Sequence, residues 1–388
     1  MIAGWRTAIL TLPLVLATAP AWAAPKAAVA ALDGIRQRCV AAAQAEQQQE
    51  AAVAGLEHQI ALLAADSAGR QRDIDDSRPQ QAHLLSALAF LARNGAMPSA
   101  LVAEAPLDRR RGALLISAVA PELRAEAHAL MAEINDIARL RREIAAHRHE
   151  LAQAAAALAA DRAQVAQLVT QRLALTRPLL PDAANDATLQ RMAARAKDIG
   201  ELIRLADAAT ERRDRDLAAR QTADSTRPAA PRAFDPPQSA LRLPISGTIS
   251  RRFGEPSDAN GAPAAGLNLK GAVPGSEVVA PFDGQIVYAG AFRDLGLLLI
   301  IRHGALYHSV LGGLAGIGVV AGEWVTAGEP VGAMPGSPAS QGAPTDEGTG
   351  NLLYFEVRRG SQPVDPQPWL ATQAAGRGAA NGEQKVDQ

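Results

Sequence analysis

The sequence predicts a multidomain protein, with an N-terminal all-α antiparallel coiled coil and a C-terminal, mainly antiparallel β domain. Three observations lead to this prediction. Apolar residues recur every seven positions through part of the N-terminal half. A linker rich in Pro and Ala then spans residues 222–238. Beyond this linker, short apolar and β-branched runs are separated by glycines, which is typical of antiparallel β structure.

Composition bounds the class of protein further. The chain has 388 residues, enough for two or more domains, and its formal net charge is −1. A charge so close to zero gives no indication of nucleic-acid binding. Cys39 is the single cysteine, which excludes an intramolecular disulfide and a metal site of the CxxC type. The aromatic content is 3%, and Ala, Arg, Gln and Leu dominate the first half, which favours long helices.

Residues 1–23 are interpreted as a signal peptide. Arg6 supplies a positive charge, residues 8–17 form a short apolar stretch, and Ala21-Trp22-Ala23 gives a small-x-small cleavage pattern. The alternative is an uncleaved membrane anchor, but a spanning helix needs about 20 apolar residues. We therefore expect an exported protein, located in a bacterial periplasm.

The coiled coil is expected over residues 24–180. A sustained seven-residue spacing keeps one stripe against a partner helix and implies a left-handed supercoil. A weaker upstream run, which Pro79 is expected to interrupt, folds back on it as an antiparallel arm. The upstream run is Leu56, Ile60, Leu63 and Ile74; the main stripe is Leu130, Ile137, Ile144, Leu151, Leu158 and Val165; its companion seam is Ile134, Arg141, Arg148, Ala155, Arg162 and Val169.

The tip of this hairpin is expected at about residues 84–120. Asn94-Gly95 marks a helix end there, and Pro98 a new start. The apolar residues of this segment are explained either by a packed hairpin tip or by a docking site for another protein, and the sequence leaves both open. The docking candidates are Leu88, Phe90, Leu91, Leu114, Leu115 and Ile116.

Residues 181–240 are predicted to hold a linker helix, at about 186–220, and the Pro-rich linker, which is extended and semi-rigid. The β domain follows at 241–371, and the polar tail 372–388 is expected to be disordered. The predicted strands lie at 285–289, 297–302, 319–320, 324–325 and 352–358.

The β domain carries motifs of a known family in consistent order. These are Gly266-Leu267-Asn268-Leu269, Ala280-Pro281, Asp283-Gly284, the run Ile300 to Gly304, and the run Leu352 to Arg358. Together they resemble the LytM/lysostaphin-type zinc endopeptidase domain. The resemblance implies that the two zinc-binding positions of an HxxxD motif fall on Ala264 and Asn268. It places the HxH motif on Leu352 and Tyr354, and a further catalytic histidine on Gly313.

These five residues do not suit the chemistry of that family. A catalytic zinc is typically held by three protein ligands, with an open position for water. Ala264 offers no ligand, Asn268 offers a neutral amide oxygen, and Tyr354 offers a phenol that is mostly protonated at neutral pH. Leu352 and Gly313 have no side chain that transfers a proton. We therefore expect a degenerate peptidase domain with no catalytic residue, no bound metal and no cofactor.

The wider architecture resembles the EnvC-type murein hydrolase activators. The closing stretches 353–359 and 364–370 carry this resemblance, with the coil segments 92–95 and 109–112. It implies that the protein binds a periplasmic N-acetylmuramoyl-L-alanine amidase and promotes septal peptidoglycan splitting and daughter-cell separation. It also implies docking on an FtsEX-type division complex through the coiled coil, with recruitment to the septum. Peptidoglycan is a further partner to consider, and nucleic acid is not.

The expected amidase-binding groove consists of Asn268, Leu295, Tyr354 and Arg358. Ordinary strand surface is the alternative explanation for each of them. The stretch Leu202-Ile203-x-Leu205 is a candidate for the helix that restrains activators of this group. Two other classes of function stay open at this point. One is a zinc endopeptidase acting on peptidoglycan through non-standard ligands, and the other is a murein-binding envelope scaffold.

Overall fold

The structure is a computed structural model that describes most of the chain. The described residues are 23–95, 106–180, 186–219, 227, 232, 234–235, 241–256, 261–336 and 351–370. Residues 1–22 of the expected signal peptide and the whole expected tail, 372–388, lie outside them. No helix among the described residues is long and apolar enough to cross a membrane.

Two long helices make up the N-terminal part. Helix α1 spans Ala23–Gly95 and helix α2 spans Pro106–Leu179. Residue contacts divide the chain into two units. The coil unit is Gln48–Ala160, and the base unit consists of the described residues of Met1–Gln47 and Asp161–Gln388. The predicted fold class, an N-terminal helical region followed by a mainly antiparallel β domain, is confirmed.

The two helices run antiparallel within the coil unit, where Arg70 lies 3.4 Å from Asp136 and Arg141 donates to Gln71. The expected interruption at Pro79 is wrong, because α1 continues through it to Gly95. Proline removes one backbone hydrogen bond from a helix. Pro79 is exposed, so its ring lies on the solvent side of the helix.

The main seven-residue stripe faces the partner helix as predicted, with Ile137, Ile144 and Leu158 buried. The companion seam, by contrast, lies one residue earlier in the chain than predicted. Ile134 is 50% exposed, while Leu140, three residues after Ile137, is buried. Heptad seams alternate steps of three and four residues. The apolar Ile134 suggested a step of four where the helix uses a step of three.

Over its described residues, the β domain contains a large sheet and a small one. The large sheet has eight strands in the order β1-β2-β10-β6-β5-β4-β8, with β11 paired to β10, and the small sheet has the order β3-β9-β7. All strand pairs are antiparallel. The strands are β1 Gly247–Arg251, β2 Leu267–Gly271, β3 Glu277–Val279, β4 Gly284–Ala291, β5 Leu297–His303, β6 Tyr307–Leu314, β7 Gly316–Ile317, β8 Trp324–Val325, β9 Pro330–Ala333, β10 Leu352–Arg359 and β11 Gln362–Val364.

One predicted strand is misplaced. Residues 319–320 do not form a strand, since β7 already ends at Ile317. The Glu323 carboxylate instead accepts a hydrogen bond from the Val320 amide at 3.1 Å, and the Glu323 amide donates to the Val320 carbonyl at 3.1 Å. These bonds close a turn over residues whose β-branched side chains resemble a strand in sequence. Val319 nevertheless packs into the domain core.

Two shorter helices follow α2 in the base unit: α3, Asp186–Arg195, and α4, Ile199–Ala219. The start of α4 is capped by two side chains, in a variant of the capping box. The Asp198 side chain accepts from the Glu201 amide at 2.8 Å, and the Glu201 side chain accepts from the Lys197 amide at 2.8 Å. The apolar sides of α3 and α4 pack on strands β4, β5 and β6.

Part of the Pro-rich linker is bound to the β domain. Arg232 makes a two-pronged pair with Asp283, with N···O distances of 2.8 and 3.0 Å. Phe234 is buried against Phe282, Tyr307 and Trp369. The chain is therefore attached to the domain before its first bridge at Leu241.

A buried ion-pair network joins the helices to the β domain within the base unit. Arg172 of α2 is fully buried and lies 2.8 Å from Glu329 and 3.4 Å from Glu323. It also donates to the carbonyl of Pro330. Arg36 of α1 donates to the Trp324 carbonyl at 2.6 Å. Although burial alone lowers it, the pKa of Arg172 is raised by Glu323 and Glu329, so the guanidinium stays charged.

Replacing Arg172 by Met is expected to lower the free energy of unfolding of the base unit by about 3–5 kcal/mol, because two buried carboxylates lose their main cation. Urea denaturation of the full chain, followed by tryptophan fluorescence, to which Trp324 and Trp369 of this unit contribute, measures this. Arg359→Met, at an exposed position of the same unit, is the control and should change stability by less than about 0.5 kcal/mol. Equal effects of the two substitutions would show that the network contributes nothing specific.

Candidate functional site

The large sheet has two chemically different faces because strand side chains alternate. One face forms the domain core and includes Leu353, Phe355 and Val357 of β10. We call the other the helix-side face, since α3 and α4 pack against part of it. Its β10 residues are Tyr354, Glu356 and Arg358, which alternate with the core residues.

The expected groove residues lie together on the helix-side face. Asn268 of β2 is directly opposite Tyr354 of β10, and Tyr354 is opposite Gly312 of β6. Leu295 lies in a short 3-10 turn between β4 and β5. If Gly312 carried a Cβ atom, this atom would lie 3.6 Å from the Cβ of Leu295 and 3.6 Å from the Cβ of Tyr354. Leu295 and Tyr354 thus both border the space above Gly312.

Tyr354, Glu356 and Arg358 form a hydrogen-bonded row along β10. The Tyr354 hydroxyl donates to one Glu356 oxygen at 2.9 Å, and an Arg358 Nη donates to the other at 2.7 Å. The second Arg358 Nη donates to the Ser361 carbonyl. The Arg358 Nε is buried without a hydrogen-bond partner.

Burial shapes the protonation of this row. It raises the pKa of the Tyr354 hydroxyl, and the Glu356 charge adds to the effect, so Tyr354 remains a hydrogen-bond donor. Burial also raises the pKa of the Glu356 carboxyl, whereas Arg358 acts in the opposite direction. Tyr354 is therefore no source of a phenolate oxygen for a metal at neutral pH.

The other three positions that the resemblance aligns with catalytic groups lie in a loop, at the start of β10 and in a bulge of β6. Ala264 lies in the loop before β2, where its backbone exchanges hydrogen bonds with Gly254 and Glu255. Leu352 begins β10, opposite Lys270. Gly313 is a bulge residue of β6 with φ of +83°, and a Cβ there would lie 2.9 Å from the Leu352 carbonyl oxygen. A histidine at this position would be strained in backbone and in contact.

Among the described residues, no group of three or more His, Cys, Asp or Glu side chains is placed to hold a metal ion. His303 is buried in the core, where its ring bonds the Asp283 carbonyl and the Ser309 hydroxyl, each at 2.8 Å. His308 pairs with Asp207 of α4 at 3.0 Å. His147 is bonded to Glu150, three residues along the same helix.

Helices α3 and α4 cover the part of the helix-side face next to the β10 row. Leu202 and Ile203 of α4 are buried against Leu298, Ile300 and Val310 of the sheet. The stretch Leu202-Ile203-x-Leu205 of the sequence analysis thus supplies the packing residues of α4.

Polar contacts support this packing at both ends of α4. Near its start, Gly200 approaches Arg358: a Cβ at this glycine would lie 3.2 Å from an Arg358 nitrogen, so a larger residue would require the guanidinium to shift slightly. Farther along, Asp214 lies 3.4 Å from Arg302 of β5. Sequence reasoning missed these pairs, because nothing local in the sequence links Asp207 to His308 or Asp214 to Arg302.

The predicted docking residues stay untested. Leu88, Phe90 and Leu91 belong to α1, and Leu114, Leu115 and Ile116 belong to α2. The side chains of all six lie outside the described residues, so docking on an upstream partner remains a prediction.

Rebuilding the aligned zinc ligands tests whether the sheet still frames a metal site. The triple variant Ala264→His, Asn268→Asp, Tyr354→His is expected to bind about one zinc ion per chain, because it restores three ligand side chains on the present backbone. The native chain is expected to bind none. Elemental analysis after dialysis against micromolar zinc measures both. Asn268→Asp alone is the matched control, and stoichiometric zinc in the native chain would contradict the interpretation.

The buried His303 predicts a pH dependence of stability. Burial lowers its pKa to about 4, whereas an unfolded histidine titrates near 6.5. Because the unfolded state takes up the proton first, stability is lost as the pH falls from about 6.5 towards 4. The loss attributable to His303 is about 2 kcal/mol at pH 5. Comparing urea denaturation at pH 7 and pH 5 for the native chain and His303→Gln checks this, and an equal pH dependence in both would refute it.

The β domain is similar in sequence to known proteins. Residues 263–366 match the model of Peptidase family M23. The murein hydrolase activator EnvC of Escherichia coli is 28% identical over 143 residues, which cover 34% of this chain and 30% of the relative. A lipoprotein NlpD/LppB homolog of Pseudomonas aeruginosa is 32% identical over 144 residues, covering 37% of this chain and 43% of the relative.

A zinc-containing peptidase from Vibrio cholerae is similar among solved structures, with 26% identity, a TM-score of 0.28, and coverage of 35% of this chain and 40% of that one. The matched segments span less than half of each of these three relatives. The C-terminal part of this chain is a domain of Peptidase family M23, the LytM type.

Proposed function

We propose that this protein is a non-catalytic activator of periplasmic N-acetylmuramoyl-L-alanine amidases, which promotes septal peptidoglycan splitting and daughter-cell separation. The similarity to a murein hydrolase activator supports this proposal in its general form. The amidase as partner, and the role in division, rest on the resemblance and on the site.

One observation carries the proposal. An ordered M23 sheet presents Asn268 and Tyr354 side by side where the family resemblance implies zinc ligands. The neighbouring Arg358 adds a planar hydrogen-bond donor. Tyrosine and arginine are enriched among residues that dominate protein–protein binding energy, and neither is a typical zinc ligand. Such a surface suits a protein partner better than a metal-assisted hydrolysis.

Helices α3 and α4 would then act as a restraint on the partner site. They occupy the helix-side face beside Arg358, and the ion pairs of α4 to Arg302 and His308 hold that helix there. Apolar packing of Leu202 and Ile203 supplies the main stabilisation of the covered state. Displacement of α4 would uncover the surface next to the β10 row.

The remaining parts of the chain complete the proposal. Residues 1–23 would direct export to the periplasm. The coiled coil would dock on an FtsEX-type division complex through its tip, which would recruit the protein to the septum. A zinc endopeptidase with non-standard ligands and a murein-binding scaffold are the other outcomes that the experiments below can return.

Stimulation of a purified amidase acting on dye-labelled murein is the direct test. Full-length protein is expected to accelerate dye release in proportion to its occupancy. Tyr354→Ala and Arg358→Ala should each raise the half-saturating concentration about 30-fold, since a residue dominant in binding contributes about 2 kcal/mol. Arg359→Ala, the same residue type one position along β10, should leave it unchanged.

Three results of that assay separate the candidate functions. Dye release without any amidase would support the endopeptidase. Retention on murein without stimulation would support the scaffold. Equal stimulation by the Arg358 and Arg359 variants would contradict the proposed surface.

Unseating α4 tests the restraint. Leu202→Asp buries a carboxylate in the apolar contact and should displace the helix. At a sub-saturating concentration of the protein, stimulation of the amidase should then rise. The expected rise is about tenfold for each 1.4 kcal/mol lost from the free energy that holds α4 on the sheet. Arg204→Asp, on the exposed side of α4, is the matched control. Hydrogen exchange at residues 199–219 confirms displacement, and a displaced helix without higher stimulation would exclude a restraining role.

A further inference from the structure

Glu356 is the one acidic side chain of the β10 row and is fully buried. It lies on the helix-side face and not in the core, where its neighbours Phe355 and Val357 point. Each of its two oxygens has one partner from the same strand: the Tyr354 hydroxyl at 2.9 Å and the Arg358 guanidinium at 2.7 Å. The two residues of β10 expected to contact a partner are therefore bonded to one carboxylate.

Burial of this carboxylate is costly for folding alone. A buried ion pair often contributes no more to stability than well-packed apolar residues of similar volume. Val310, directly opposite Glu356 on β6, belongs to an apolar cluster on the same face. An apolar side chain at position 356 would therefore extend that cluster. The observed carboxylate instead restricts the torsions of a tyrosine and of an arginine whose other Nη donates to the Ser361 carbonyl.

Rigid presentation has a direct consequence for binding. Immobilising a rotamer-rich side chain costs about 0.5–1.5 kcal/mol when a complex forms. Hydrogen bonds made before binding remove part of that cost. The bond to Glu356 also balances the Arg358 charge, so the guanidinium meets a partner as a hydrogen-bond donor held in place.

We propose that Glu356 is a positioning residue of the partner-binding surface: it holds the Tyr354 ring and the Arg358 guanidinium in the arrangement that the partner recognises. This inference rests on the proposed function, because it concerns the same surface. It assigns a role to a residue that contacts no partner itself. Affinity for the amidase then depends on Glu356, and the maximal stimulation at saturation does not.

The test measures half-saturating concentration and maximal stimulation separately in the amidase assay, with the full-length chain. Glu356→Gln keeps the size of the side chain but loses the charge and one acceptor oxygen. It is expected to raise the half-saturating concentration about tenfold, as the loss of one charge-assisted hydrogen bond predicts, with unchanged maximal stimulation. Unchanged half-saturation would overturn the inference.

A coupling measurement separates positioning from a general structural effect. In a Tyr354→Phe, Arg358→Met background, Glu356 has no group left to position, so adding Glu356→Gln is expected to change half-saturation by less than about twofold. A full tenfold effect in that background would show that Glu356 acts elsewhere, and would overturn the inference. Failure of the native chain to stimulate the amidase at all would instead overturn the proposed function.

A second variant covers the case in which Glu356→Gln does not fold. Tyr354→Phe removes only the hydroxyl that Glu356 accepts from and keeps the ring. Positioning through this hydrogen bond predicts a raised half-saturating concentration with unchanged maximal stimulation. Half-saturation equal to that of the native chain would overturn the inference.

Discussion

The ion-pair network around Arg172 is the interaction on which the arrangement of the base unit depends. It joins α2 to Glu323 and Glu329, which flank β8, and Arg36 brings α1 to the same place. Since α3 follows α2 closely in sequence, fixing the end of α2 also limits where α3 and α4 can begin. Buried charges tolerate few alternative geometries, because each shift leaves a charge without a partner. The network thus favours one orientation of the helix ends on the β domain.

The two faces of β10 explain how a peptidase-type fold can keep its stability while its chemistry changes. Phe355 and Val357 pack in the core and maintain the sheet. Tyr354 and Arg358 alternate with them on the opposite face and make no contribution to that core. Substitution on one face therefore leaves the other nearly unaffected, since their side chains do not share neighbours. A zinc-binding face and a protein-binding face are both compatible with the same strand.

Local patterns in the sequence were sufficient for the fold class, the main heptad stripe and most strands, because each depends on residues a few positions apart. One error concerns the coiled coil, where the seam can continue from Ile137 by a step of three or of four residues. The other concerns residues 319–320, where the Glu323 side chain closes a turn instead of a strand forming. The network around Arg172 and the pairs made by α4 were beyond sequence reasoning. They join residues far apart in the chain, and an arginine in a helix is usually solvated.

Gly313 shows that the aligned catalytic positions differ in how far the backbone limits which side chain they can carry. Its φ of +83° belongs to the left-handed region, which glycine enters at little cost and other residues rarely adopt. The bulge that contains it shifts the pairing of β5 and β6 between Leu297 and Leu298. Restoring a histidine there would require a different backbone as well as a different side chain. None of the three aligned zinc positions has a positive φ, so a new side chain there meets no such backbone strain. A histidine at Gly313 therefore faces an obstacle in the backbone that ligands at Ala264, Asn268 and Tyr354 do not.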